Sequence, residues 1–207
     1  MWNNDDNLKK EHGILLCGVD ESGRGAYAGP MVAGAVCFGP DAFIEGVKDS
    51  KRLSLTRRAN LYEYITAFSL AWGVGIVTPE EMDAKGMTWA NRYVMIQACE
   101  AVSRELESVY GMGIDLYVID NAPRLPELLP QLMVPRADDT YYCVAAASII
   151  AKHTRDTMMT DLAEQYPNYG FENNKGYLSE EHIEAAIKYG TIPGVHRLSY
   201  RVKGISK

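Results

Sequence analysis

Short apolar runs alternate along the 207-residue chain with longer stretches of helical spacing. ILLCGVD (14–20) is apolar, rich in branched residues and ended by an acid, which predicts a buried strand. After the glycine-rich turn ESGRGAYAGP, the run MVAGAVCF (31–38) predicts a second strand and hairpin partner. In LTRRANLYEYITAF (55–68) the residues Leu61, Tyr64, Ile65 and Phe68 recur at helical spacing, and AWGVGIV (71–77) predicts a third strand. Thr78 as cap, Pro79 at the first position and Glu81 three residues after the cap mark a helix start.

A longer helix is predicted over roughly Thr88 to Val109, a fourth strand over DLYVID (115–120) and a short fifth over QLMVP (131–135). The alanine-rich stretch from Thr140 to about Gln165 predicts a helix. SEEHIEAAIKYG predicts another, capped by Ser179 and stopped by Gly190, although His182 stands where a full capping box would have Glu or Gln. A three-strand meander followed by helix-connected strands is the order of an α/β layered domain. No repeat or linker divides it, so one domain over 1–207 is expected, with a flexible N-terminus over roughly 1–12.

Composition changes this picture little. Hydrophobic residues at 47% and charged ones at 23% are those of a soluble globular chain, and no apolar run approaches a membrane span. The polar, acidic start MWNNDDNLKKEHG lacks the basic and apolar parts of a signal peptide, so a cytoplasmic location is expected. Cys17, Cys37, Cys99 and Cys143 form no CxxC pair and are expected as reduced, buried thiols. The net charge of −6 argues against a nucleic-acid partner when averaged over the chain. Locally the balance differs: Lys48, Lys51, Arg52, Arg57 and Arg58 crowd one stretch, and Arg197, Arg201, Lys203 and Lys207 crowd the end.

The candidate chemistry is acidic. Asp20 and Glu21 end the first strand, where Gly23 and Gly25 allow the bend that brings adjacent side chains to one site. Asp120 ends the fourth strand, a place where open α/β sheets hold ligands. Asp138 and Asp139 precede a long helix and could equally cap it. Together, acids at three strand or helix ends suit hard divalent cations, two of which can clamp the attacking and leaving oxygens of a phosphodiester.

GVDESGRGAYAGPMVAGAV (18–36) resembles the opening of the type 2 ribonucleases H (ribonuclease HII), whose hallmark is Asp-Glu-x-Gly-Arg-Gly. KDSKRLS (48–54), YVID (117–120), RADDTYYCVAAASIIAKHTRD (136–156), NKGYLSEEH (174–182) and HRLSY (196–200) resemble later blocks of that family in the same order. The resemblance implies a ribonuclease H-like mixed five-stranded sheet flanked by helices, with a C-terminal helical extension over roughly 165–207. It further implies that Asp20, Glu21, Asp120 and Asp138 bind two Mg²⁺ or Mn²⁺ ions, Asp138 being picked over Asp139 by its spacing to Ala146-Ala147-Ser148.

The implied reaction cuts the RNA strand of RNA–DNA hybrids, and duplex DNA on the 5′ side of an embedded ribonucleotide, leaving 3′-hydroxyl and 5′-phosphate ends. Such an activity belongs to ribonucleotide excision repair and DNA replication. Gly23, Arg24 and Gly25 match the segment that recognises the ribose 2′-hydroxyl, and Tyr177 matches the tyrosine that stacks on the next sugar. Lys51, with Arg52, Ser148 and Lys152 are further candidates for substrate contact, Lys152 equally for a structural ion pair; His182 and His196 are expected to serve the fold. Arg136-Ala137 stands where bacterial members often have Lys-Gly, and Asn121 where glycine is common, which bears on loop geometry rather than on the reaction. No glutamine-plus-paired-aromatic tail is seen, so no sliding-clamp partner is implied, and a monomer is expected. A junction resolvase of the same architecture would share the acids without needing the Gly-Arg-Gly loop or Tyr177. A non-catalytic binding module would need none of the four acids, and a calcium-binding domain would gather its acids in one loop.

Overall fold

A computed structural model of the chain describes residues 13–48, 50–120, 124–125 and 130–205. The expected flexible N-terminus lies outside these residues, as do Asp49, Asn121 and Lys207. Five strands form one sheet in the order β3-β2-β1-β4-β5. They are β1 (Leu16–Ser22), β2 (Met31–Cys37), β3 (Ala71–Val77), β4 (Leu116–Asp120) and β5 (Gln131–Val134). β1, β2 and β3 are antiparallel neighbours, whereas β4 runs parallel to both β1 and β5. The sheet is therefore mixed, as expected.

The two central strands carry apolar and small residues on both faces because both faces are covered. On one face Cys17, Val19, Met31 and Ala33 pack against α3 (Met87–Tyr110), through Val94, Met95, Ala98 and Val102. On the other face Leu16, Val36 and Val118 pack against α4 (Tyr142–Gln165). Its first ten residues, Tyr142 to Ala151, are all buried, as a helix apolar on every side must be. Close approach of this helix depends on two positions without side chains: a Cβ on Gly18 would lie 2.2 Å from the Cys143 carbonyl carbon, and one on Gly34 2.4 Å from the Ala147 oxygen.

The remaining helices are α1 (Leu55–Phe68), α2 (Pro79–Lys85), α5 (Phe171–Asn174) and α6 (Glu180–Tyr189). α2 starts with the full capping box read from Thr78 and Glu81. In α1 only Leu61 and Ile65 of the predicted apolar stripe face the core; Tyr64 and Phe68 are exposed and stack on each other instead. Three short 3-10 turns, Ser50–Arg52, Ala137–Asp139 and Pro167–Tyr169, fall where no element was predicted. The C-terminal segments close a small core of their own, in which Tyr169, Phe171, Ala185 and Val195 pack on Ala28 and Met159.

Candidate active site

The parallel register of β1 and β4 sets Val19 beside Ile119, so one residue further along each strand Asp20 and Asp120 stand side by side. Past β5, Arg136 adopts left-handed backbone with φ of 58° and starts the turn Ala137–Asp139. The Ala137 N–H donates to Asp120 Oδ1 at 2.8 Å, which ties this turn, and Asp138 within it, to the strand ends. Asp20 and Asp138 are each only 6% exposed. Asp139 has a different setting: its carboxylate is bracketed by Arg136 and by Arg52, the latter at 3.2 Å. A carboxylate already neutralised by two guanidinium groups is a poor cation ligand, which counts against Asp139.

The acids repel one another. Burial pushes the Asp20 carboxyl well above the usual carboxylate range, and the charges of Glu21, Asp120 and Asp138 push it the same way. Burial raises Glu21 to about 7, a rise that Arg24 and Lys51 oppose and Asp120 reinforces. Asp20 Oδ1 accepts the Glu21 N–H at 2.7 Å, and Arg24 Nη1 lies 3.9 Å from Glu21 Oε1. Glu21 Oε2 is buried with no partner among the described residues.

This donor set suits a hard divalent cation. It is all oxygen, it concentrates negative charge in a buried place, and it contains an acceptor with nothing to accept from. Of the softer candidate ligands, the four cysteines are buried free thiols and His182 is engaged with His196. As the side chains stand, no three of the described His, Cys, Asp or Glu residues are drawn close enough to enclose an ion. The acids share one field without forming a closed shell.

Directly beyond Glu21 lies the Gly23-Arg24-Gly25 turn. Gly23 is buried with φ of +89°, while Arg24 and Gly25 are exposed and no heavy atom lies within 4 Å of where a Gly25 Cβ would sit. The C-terminal segments hold this loop. The Tyr27 and Ala28 N–H groups donate to the Gly176 carbonyl at 2.8 and 3.0 Å, and the Gly29 N–H donates to the Val195 carbonyl at 2.8 Å. Tyr177, next to Gly176, leaves 41% of its surface exposed beside the loop.

Its backbone is fixed by a histidine pair. His196 Nδ1 accepts the Ile192 N–H at 2.9 Å, so its proton is on Nε2 and is donated to His182 Nε2 at 3.2 Å. That leaves His182 Nδ1–H to donate to the Tyr177 carbonyl at 2.9 Å. Both histidines are fully buried, burial lowers both below the usual value, and His196 falls to about 4. They serve the fold, as expected.

Lys51 sits exposed in the turn Ser50–Arg52, near enough for its charge to act on Glu21. Ser148 and Lys152, on one face of α4, support that turn. Ser148 Oγ accepts the Ser50 N–H at 3.3 Å and donates to the Ala145 carbonyl at 2.9 Å. Lys152 Nζ pairs with Asp156 Oδ1 at 2.6 Å, while Arg58 pairs with Asp156 Oδ2 at 2.5 Å and donates to the Ser50 carbonyl at 3.3 Å. The structural ion pair weighed for Lys152 is present.

Two arginines change role. Arg197, read in sequence as part of a basic end, is fully buried. It donates to the carbonyls of Gly29 at 3.0 Å, Pro30 at 3.2 Å and Arg24 at 3.0 Å. Arg155, which sequence reasoning passed over, is also fully buried and donates to Pro30 and Ala28. A signal for it existed: Ser148, Ala151, Arg155 and Met159 recur at helical spacing, and all four prove buried.

Comparison with known proteins agrees with this architecture. The profile of the family described as Ribonuclease HII matches residues 17–203. A Ribonuclease HII from Geobacillus sp. (strain WCH70) is 42% identical over 92% of this chain, which spans 65% of that protein's length. The ribonuclease H2 of Pyrococcus horikoshii OT3 superposes with a TM-score of 0.69 at 29% identity, covering 90% of this chain and 94% of the other. The ribonuclease HII of Archaeoglobus fulgidus, solved in complex with PCNA, gives 0.68 at 28% identity over 92% and 96%.

Proposed function

The chain belongs to the ribonuclease HII family, and on that premise we propose that it is an endoribonuclease acting on the RNA strand of RNA–DNA hybrids. We propose equally that it cuts duplex DNA on the 5′ side of an embedded ribonucleotide, leaving 3′-hydroxyl and 5′-phosphate ends. The observation that carries the reading is the junction of the two features: the register-paired ends of β1 and β4 present Asp20 and Asp120, and β1 runs directly into Gly23-Arg24-Gly25.

Asp20, Glu21, Asp120 and Asp138 would hold two divalent ions, Mg²⁺ or Mn²⁺. Bound there, the ions would supply Lewis acidity that lowers the pKa of an attacking water and offsets charge on the scissile phosphate. Glu21 is raised to about 7 only while the cluster is metal-free; bound cations would keep it ionised as a ligand. The open backbone at Gly25 lets a ribose come close enough for its 2′-hydroxyl, the group that distinguishes RNA from DNA, to be read. The exposed Tyr177 ring offers a platform for the following sugar, and Lys51 and Arg24 offer charge to the phosphates. The reading takes the protein as a cytoplasmic monomer and includes no clamp partner.

The test is cleavage of an end-labelled DNA duplex carrying one ribonucleotide, with Mg²⁺, with Mn²⁺ and with chelator. The expected result is a metal-dependent cut on the 5′ side of the ribonucleotide. Cleavage confined to long hybrids would remove the junction reading and keep the acid chemistry; no cleavage of either substrate by folded protein with metal would overturn the proposal.

A further inference from the structure

The two elements assigned to junction recognition, the Gly23-Arg24-Gly25 turn and Tyr177, come from opposite ends of the chain. One side chain lies between them. Arg155 Nε donates to the Pro30 carbonyl at 2.9 Å and Nη2 to the Ala28 carbonyl at 3.1 Å, so the guanidinium grips the segment that leads from the turn into β2. A Cβ on Gly23 would lie 2.0 Å from Arg155 Nε, which puts the turn itself directly on the guanidinium. On its other side the guanidinium carbon stands 5.4 Å from the centre of the Tyr177 ring.

The rest of its surroundings are unusual for a buried cation. No carboxylate pairs with it among the described residues, and Nη1 is buried without a partner there. Met159, one turn further along α4, is fully buried beside it, so an apolar side chain could occupy this stripe. An unpaired, incompletely satisfied guanidinium is a costly way to fill space.

We infer that Arg155 is a positioning residue for substrate choice: its planar fork sets the spacing and angle between the Gly23-Arg24-Gly25 turn and the Tyr177 ring, and so fixes where the RNA–DNA junction sits relative to the acids. The inference rests on the proposed activity. It assigns Arg155 no contact with the substrate and no part in the chemistry. Lysine would keep the charge and lose the fork, two donors in one plane with a flat face for the ring.

The experiment first measures wild-type cleavage of a duplex with one embedded ribonucleotide and of a long RNA–DNA hybrid. Absence of both activities would sink the parent reading and is distinguishable from anything the variants do. Arg155→Lys and Arg155→Gln are then compared on both substrates, with folding checked by circular dichroism. The expected result is a fall of up to about 10-fold in the ratio of junction to hybrid cleavage. The fall should be carried by KM and by scatter in the cut position, with hybrid kcat retained. Adding Tyr177→Ala to Arg155→Lys should cost little more, because the arginine acts through the ring. An unchanged ratio in a folded variant, or losses that multiply in the double variant, would overturn the inference. So would failure of both single variants to fold, which would assign Arg155 to stability alone.

Discussion

At the end of β1 the chain buries charge twice, with opposite sign and in opposite fashion. On the sheet side, Asp20 and Glu21 are buried beside Asp120 and Asp138; burial first and neighbouring acids second raise the proton affinity of Asp20 and Glu21, and Glu21 Oε2 has no partner among the described residues. On the side of the C-terminal segments, Arg155 and Arg197 are also fully buried, yet they are held by the carbonyls of Arg24, Ala28, Gly29 and Pro30. The first cluster gathers like charges and leaves one carboxylate oxygen without a partner among the described residues; the second is held mostly by backbone carbonyls and fixes a loop. Repulsion that folding tolerates marks a place where a ligand can act, whereas guanidinium groups spent on backbone carbonyls mark positioning of the chain.

The largest effect should come from the unsatisfied side. Asp138→Asn is expected to lower cleavage by about 10³-fold or more, measured under single-turnover conditions, with the circular dichroism spectrum unchanged. Asp139→Asn should cost far less, because Arg52 and Arg136 already neutralise that carboxylate. Equal losses at both positions would erase the distinction between them.

Next come opposed pH slopes in metal-free protein. Glu21 titrates higher folded than unfolded, about 7 against 4.5, so its contribution to stability is present at low pH and is lost as pH rises through that window. His196 titrates lower folded than unfolded, about 4 against 6.5, so its contribution is present at high pH and is lost as pH falls through that window. Each is of the order of 3 kcal/mol before any relaxation of the fold, and over 4.5 to 6.5 they oppose each other. Urea melts should show Glu21→Gln making stability rise more steeply with pH, and His196→Asn making it fall. Parallel curves for wild type and both variants would contradict the assignment.

A smaller effect belongs to Tyr177. Its replacement by alanine should reduce preference for the embedded ribonucleotide about tenfold, the scale of one lost stacking contact. Cleavage of a long hybrid should change less. An unaltered preference would remove the tyrosine from junction reading.

Much of this was legible in the chain. The five strands and long helices followed from apolar periodicity, and the Thr78 capping box could be read letter by letter. The four acids were legible as strand and turn ends, although only the register of β1 on β4 shows why two of them meet. The exceptions share a physical reason. Tyr64 and Phe68 carry the right spacing but lie on the rim of α1, outside the narrow stripe that the sheet and α4 cover. Arg155 was passed over and Arg197 read only as part of a basic end, because sequence shows a charge but not the carbonyls that will surround it. Ser148 and Lys152 share a helical face as read, but what that face meets, the Ser50 turn and Asp156, depends on residues about a hundred positions away or on its own next turn.

The central claim is that the acid cluster opposes the fold and exists for a cation. Its most direct test is the thermal midpoint of Asp20→Asn against wild type at pH 8, each with chelator and with saturating Mg²⁺ or Mn²⁺. Removing one repelling charge should raise the metal-free midpoint by about 2–4 °C, the shift that 1 kcal/mol gives a chain of this size. Metal should then stabilise the wild type and leave the variant nearly unmoved. A variant less stable than wild type without metal, or one stabilised by metal just as strongly, would contradict the account.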